Sequence, residues 1–251
     1  MKVFRSSVFA GVLLVAAALS GQEATAGPSV VELFTSQGCS SCPPADAFLG
    51  DLAKREDVIA LSLSVDYWDF LGWKDTKASP EHSERQRAYA RMRGDSQVYT
   101  PQMVINGATH VVGSRREEVN AEIERTSAII AERATEVTIT EKAGKLVVDV
   151  AGTHVATAGD QEATVWLVLY ETAATVDIKR GENRGRSVTY HNVVREMMPI
   201  GMWSGAPVSI TLPRKDLVQK GYDGCAVLVQ LDGTGPIIGA AATKTMLTAS
   251  N

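Results

Sequence analysis

The sequence predicts a mixed α/β region followed by an all-β region. Between residue 29 and about residue 134, short apolar runs alternate with segments of helical spacing. After Ala134 the pattern turns to period two, broken by turns rich in Gly, Asp and Pro. The chain has 251 residues, 45% hydrophobic and 22% charged, which is globular composition and enough for one large or two small domains. Disorder, collagen and coiled coil do not fit it. A formal net charge of -4, from 25 basic and 29 acidic residues, gives no basic field and argues against a nucleic-acid partner.

Lys2 and Arg5, the apolar run Val8 to Leu19 and the sequence Ala24-Thr25-Ala26 have the layout of a secretory signal peptide. The run is shorter than the ~20 residues of a membrane span. Residues 1–26 are therefore expected to be removed, leaving a periplasmic or secreted protein with no transmembrane span after cleavage. An uncleaved anchor is the rival reading. Export would place the cysteines where disulfides form and persist.

From Gly27 onward the elements follow in order. Val30 to Phe34 reads as a buried strand, Pro43 to Lys54 as a helix and Val58 to Val65 as a second strand. Pro80 to Arg93 is polar and charge-rich and reads as an exposed helix, with Arg85, Arg87, Arg91 and Arg93 beside Glu81 and Glu84 on a solvated face. Val104-Ile105 and His110 to Val112 flank Asn106-Gly107, a strong hairpin signal. Arg115 to Arg133 reads as a helix with Ser114 as its N-cap. These segments make a first domain over 27–134.

The second region, 135–251, shows strand runs at Val137–Thr140, Leu146–Val150, Val165–Tyr170, Val176–Lys179, Val188–Val194, Val208–Leu212, Ala226–Leu231 and Ile237–Ala241. Many short strands separated by turns predict a β-sandwich.

Gly38-Cys39-Ser40-Ser41-Cys42-Pro43-Pro44 follows the first strand and opens the first helix. Backbone N–H groups and the helix dipole stabilise a thiolate at that position. Cys39 is expected at the exposed end as the nucleophile, and Cys42, one turn on, as the resolving thiol. The second element of the site is Tyr99-Thr100-Pro101, a proline heading a strand that runs into the hairpin. It reads as a cis-proline loop packed against the CxxC, with the Thr100 backbone free to pair with an extended peptide. Tyr67-Trp68-Asp69-Phe70-Leu71-Gly72-Trp73 follows the second strand at the same end. Trp68 and Trp73 could line a substrate groove, or pack an inserted helix on the sheet. Asp66 or Asp69 could accept a proton from Cys42.

The order strand, CxxC, helix, strand, Thr-Pro, hairpin, helix resembles the thioredoxin fold over residues 29 to 134, with the 80 to 93 helix as an insertion. More narrowly, the chain after residue 26 resembles a bacterial family of secreted thioredoxin-like proteins known only as a domain of unknown function. Glu32 to Asp46, Tyr67 to Trp73, Arg85-Gln86 with Tyr89, Tyr99 to Gly107, Arg180 to Asn183 and Asn192 to Arg195 carry that likeness. The broader resemblance implies dithiol–disulfide exchange by Cys39, Cys42 and Pro101. Ser40-Ser41 puts no charged group between the cysteines, so an extreme oxidant is not expected.

The expectation is thus an α/β thioredoxin-like fold with an inserted helix, followed by an all-β sandwich, acting as a thiol–disulfide oxidoreductase. Its partners would be envelope proteins or thiol substrates and a redox partner that recharges the pair. No cofactor is expected. Two other readings stay open: a binding module with a permanently closed Cys39–Cys42 bond, and a copper or other metal carrier using the two thiols. No metal site is assigned, because His82, His110, His154 and His191 make no ligand motif with the cysteines. Cys225 opens an apolar strand and reads first as a buried small hydrophobe, second as a reactive third thiol. Arg180 to Gly185 reads as a polar hairpin turn that would help hold a substrate if it reached the CxxC.

Overall fold

The structure, a computed structural model, describes residues 27–152, 162–218 and 222–243. The expected signal peptide lies outside the described residues. In chain order the elements are β1 (Ser29–Thr35), α1 (Pro43–Leu52), β2 (Val58–Ser64), a 3-10 turn (Asp69–Leu71), α2 (Pro80–Arg93), β3 (Gln102–Ile105), β4 (Thr109–Val112) and α3 (Arg116–Ala131). There follow β5 (Val137–Lys142), β6 (Lys145–Val150), β7 (Ala163–Asp177), β8 (Ser187–Trp203), β9 (Val208–Pro213), α4 (Arg214–Val218), β10 (Gly224–Leu231) and β11 (Ile237–Thr243).

Eight strands form one sheet in the order β11-β10-β7-β8-β2-β1-β3-β4, and β5-β6-β9 form another. The architecture is mixed α/β, with a large multi-stranded sheet and few helices. β1 and β2 run parallel around α1. β3 and β4 form the hairpin, with Asn106 and Gly107 at φ 51° and 64°, the left-handed conformation that this pair tolerates. β2 meets β8 in parallel at Ser62 and Val193. The boundary expected at 134/135 falls between α3 and β5, and strands from either side of it are neighbours in the larger sheet.

The larger sheet is covered on both faces, so its central strands read as apolar runs rather than as alternations. From β1, Val31 and Leu33 pack with Phe48, Leu49 and Leu52 of α1 and Val119 and Ile123 of α3. Val30 and Phe34 pack on the other side with Leu61, Tyr89, Val168, Tyr170 and Leu228. From β7, Val165, Leu167 and Leu169 pack with Leu146, Val148 and Val150 of β6, which joins the two sheets. Odd and even residues of one strand thus serve two cores.

Four expectations need correction. Pro80–Arg93 is a helix, but one side of it is buried: Gln86 and Tyr89 are 0% exposed and Arg85 is 8% exposed. Arg85 forms a forked ion pair with buried Glu32 of β1 (Nε to Oε1 2.6 Å, Nη2 to Oε2 3.1 Å) and donates to Gln230 of β10 at 3.1 Å. The Tyr89 hydroxyl also donates to Glu32. Arg85 alone of those charges is satisfied in the interior, by Glu32 of β1, while Glu81, Glu84, Arg87 and Arg91 are exposed as expected. Second, α3 starts at Arg116 behind Arg115 with no side-chain cap, so Ser114 is not the N-cap. Third, Val165–Tyr170 and Val176–Lys179 are not separate strands. β7 is continuous from 163 to 177, and register shifts at Val165/Trp166 and Leu169/Tyr170 mark the irregularities that bend a long strand. Fourth, the second region is not purely β: Arg214–Val218 makes a short helix that sends Leu217 into the β6–β7–β10 core.

Candidate functional site

Cys39 and Cys42 are joined in a disulfide at the start of α1. Cys42 is the residue before the helix, Pro43 fills the first helical position, and the Cys42 carbonyl accepts from the N–H groups of Ala45 (2.8 Å) and Asp46 (3.1 Å). A proline there sacrifices an N–H that the helix would leave unpaired. The expected exposure of Cys39 is not found. Its exposure is 2% and that of Cys42 is 0%, while Ser40 and Ser41 between them are exposed.

A segment from far along the chain packs on the backbone of the Cys39 loop. The tip of the β7–β8 hairpin places Asn183 against the loop, where its Nδ2 donates to the carbonyls of Gln37 (3.0 Å) and Cys39 (2.8 Å). Trp68 lies so close to Gly38 that a β-carbon there would meet the Trp68 β-carbon at 3.1 Å. Ser41 Oγ lies 3.4 Å from Cys39 Sγ. The polar turn read at 180–185 therefore reaches the CxxC.

The Thr100–Pro101 bond is cis. Trp68 links this loop to the cysteines: its Nε1 donates to Thr100 Oγ1 at 2.9 Å while its β-carbon abuts Gly38. The Pro101 carbonyl accepts from Gly113 N at 2.9 Å, and Gly113 in turn crowds Ala45 of α1. Trp73 donates its Nε1 to Gln37 Oε1 at 2.8 Å, and Gln37 N donates to Asp75 Oδ2 at 2.7 Å. Cys39, Cys42, Trp68, Trp73 and Thr100 thus belong to one connected group. The side chain of Tyr99 does not join it. Its hydroxyl hydrogen-bonds His110 Nδ1 at 2.8 Å, and His110 Nε2 lies 3.1 Å from Asp95 Oδ2.

Asp46 is the residue that sequence reading passed over. It sits one turn after Cys42 on the same face of α1, a four-residue spacing present in the CSSCPPAD string. The carboxyl is 2% exposed; Thr35 Oγ1 donates to its Oδ1 at 2.7 Å, and its Oδ2 has no protein partner. Burial pushes it up to about 8, against the pull of the Thr35 hydrogen bond and with a further push from the charge of Asp75. Asp75 is itself raised by burial, opposed by the N–H groups of Gln37 and Lys77. Of the other two carboxyls near the site, Asp66 accepts from Ser83 Oγ and Asp69 from the N–H of Asp75.

Cys225 is buried in the β6–β7–β10 core, free of any disulfide, and burial pushes its thiol up to about 12. Among the described residues, no three His, Cys, Asp or Glu side chains come together as a metal site, and no helix is long and apolar enough to cross a membrane.

No curated protein matches this chain. Among solved structures it is similar to the X-ray crystal structure of protein AGR_C_4864 from Agrobacterium tumefaciens, with 34% identity and a TM-score of 0.76. That match covers 90% of this chain and 98% of the other. The family described as a protein of unknown function, DUF1223, matches residues 30–230. With that span covered, the chain belongs to the DUF1223 family.

Proposed function

We propose that the protein is a thiol–disulfide oxidoreductase of thioredoxin-like fold, exported to the periplasm and joined to a β-sandwich region. One observation carries this reading: the Cys39–Cys42 disulfide at the start of α1 is coupled through Trp68 to a cis Thr100–Pro101 loop. The chain path β1, CxxC, α1, β2, α2, cis-proline, β3–β4 hairpin, α3 supports the thioredoxin-like assignment over 27–134. The packing of β5-β6-β9 on the larger sheet supports a sandwich over 135–251. The signal-like leader supports export, with residues 1–26 removed.

In the reduced protein the Cys39 thiolate attacks a substrate disulfide. One substrate sulfur leaves as thiolate, and a Cys39–substrate disulfide forms. Asp46, as carboxylate, takes the proton of the Cys42 thiol. The Cys42 thiolate then attacks Cys39 Sγ and releases the second substrate sulfur, which closes the Cys39–Cys42 bond. Two electrons pass to the substrate, and a dithiol partner in the envelope returns them. Run backwards, the same steps oxidise a substrate dithiol. A proton acceptor near 8 can both take and return a proton at neutral pH, which suits either direction.

The burial of Cys39 favours one rival reading, a closed structural disulfide in a binding module. Insulin reduction in the presence of dithiothreitol separates the two. The wild type should accelerate it, Cys42→Ser should accumulate mixed disulfides through Cys39, and Cys39→Ser should do neither. Equal, uncatalysed rates for all three proteins would leave the structural disulfide as the reading.

A further inference from the structure

The hairpin tip that covers the cysteines is built unlike a plain turn. Lys179, Arg180, Glu182, Arg184, Gly185 and Arg186 are exposed, while Asn183 in their midst is 1% exposed. Its two donated bonds go to the carbonyls of Gln37 and Cys39, one of them belonging to the cysteine itself. Its Oδ1 is also buried and has no protein partner. The gain from two hydrogen bonds is thus set against the cost of an orphaned acceptor, so the contact is closed but weakly held. The tip has its own internal bonds: Ile178 N to Arg186 O at 2.9 Å and Gly185 N to Ile178 O at 2.8 Å. The segment 179–185 can therefore pivot on this base without unpairing β7 from β8. Two other contacts hold this side: Gly181 packs closely on Trp73, 3.2 Å for a β-carbon built at Gly181, and Ile178 at the base of the tip is buried with Tyr190 and Val193.

We propose that residues 179–185 are a strap that closes over Cys39, and that Asn183 is its latch. Thiol exchange at the Cys39–Cys42 bond requires the strap to lift, so a partner reaches the sulfur only as fast as the latch releases. The inference rests on the redox reading for its use in the cell, but its test needs no physiological substrate.

The test is the rate at which dithiothreitol reduces the Cys39–Cys42 bond in the folded full chain, followed by quenched alkylation and mass spectrometry. One dithiothreitol thiolate attacks the bond and forms a mixed disulfide. Its second thiol displaces the protein sulfur, leaving both cysteines reduced and the reagent as a cyclic disulfide. Asn183→Ala should raise this rate about tenfold, the factor that a latch worth ~1.4 kcal/mol would give. Asn192→Ala serves as the control. Asn192 is also buried on β8 but donates to the carbonyl of Ala60 on β2 rather than to the cysteine loop. Its rate should stay within about twofold of wild type. Equal acceleration by both variants, or none by Asn183→Ala, would overturn the proposal.

Wild-type protein gives a second test should the variants not fold. Lifting a strap exposes little surface, so reduction should be nearly independent of urea below the unfolding transition. A rate that climbs with urea as steeply as global unfolding would also overturn it. Failure of the redox reading would look different: no protein would turn over insulin, while the tenfold ratio and the strap would stand.

Discussion

Replacing Asp46 by asparagine is expected to stabilise the oxidised protein, and by more at high pH than at low pH. The buried carboxyl is lifted from its ordinary 3.8 to about 8, chiefly by burial. An acid with a higher value folded than unfolded binds its proton more tightly in the folded state. Its contribution to stability is complete below the unfolded value and is lost as pH rises through the folded one, here between about 4 and about 8. Each pH unit in that window costs about 1.4 kcal/mol, so going from pH 5 to pH 8 takes roughly 4 kcal/mol from the wild type. A carboxamide matches the shape of the neutral acid, still accepts from Thr35 and does not titrate. Urea unfolding of both oxidised proteins at pH 5 and pH 8 measures the difference, other groups cancelling between them. Asp46→Asn should gain roughly 4 kcal/mol on the wild type across that interval. A difference that stays constant with pH would show that Asp46 holds no proton in this range, and would remove it from the mechanism.

Three further outcomes follow from the same geometry. Arg85→Met should cost about 3–5 kcal/mol in urea unfolding, because Glu32 would stay buried without its cation; a loss under about 1 kcal/mol would mean the carboxyl finds water. Trp68→Phe removes the indole donor to Thr100 and should slow turnover of protein disulfides while the fold persists by circular dichroism. Turnover equal to wild type would show that the indole does not set the cis-proline loop. Cys225→Ala should leave insulin reduction unchanged, since its thiol is buried in an apolar core; lost activity would make it a third exchanging sulfur.

Much of the frame is local and so was readable. The strand–CxxC–helix unit, the Asn106-Gly107 hairpin and the Thr100-Pro101 loop each depend on residues adjacent in sequence, whose turn and capping chemistry is stated by their types. What escaped reading depends on contacts across long separations. Arg85 reads as solvent-facing until Glu32 and Gln230, on two other strands, supply its partners. Cys39 reads as exposed, yet it is buried in a loop whose carbonyl accepts from Asn183, 144 positions on. The unbroken β7 escaped because Glu171 to Ala174 lacks alternation, and its pairing comes from β8 rather than from its own pattern. Asp46 lay in plain view, four residues after Cys42; only burial gives a carboxylate at that spacing its chemical meaning.

The measurement closest to the central claim is the reduction potential of the Cys39–Cys42 pair, read by equilibrating the full chain in graded glutathione buffers and counting free thiols. A pair that exchanges with partners should titrate above about −300 mV, within reach of biological dithiols. A bond still closed in buffers poised below that value would be a structural crosslink, and the oxidoreductase account would be wrong.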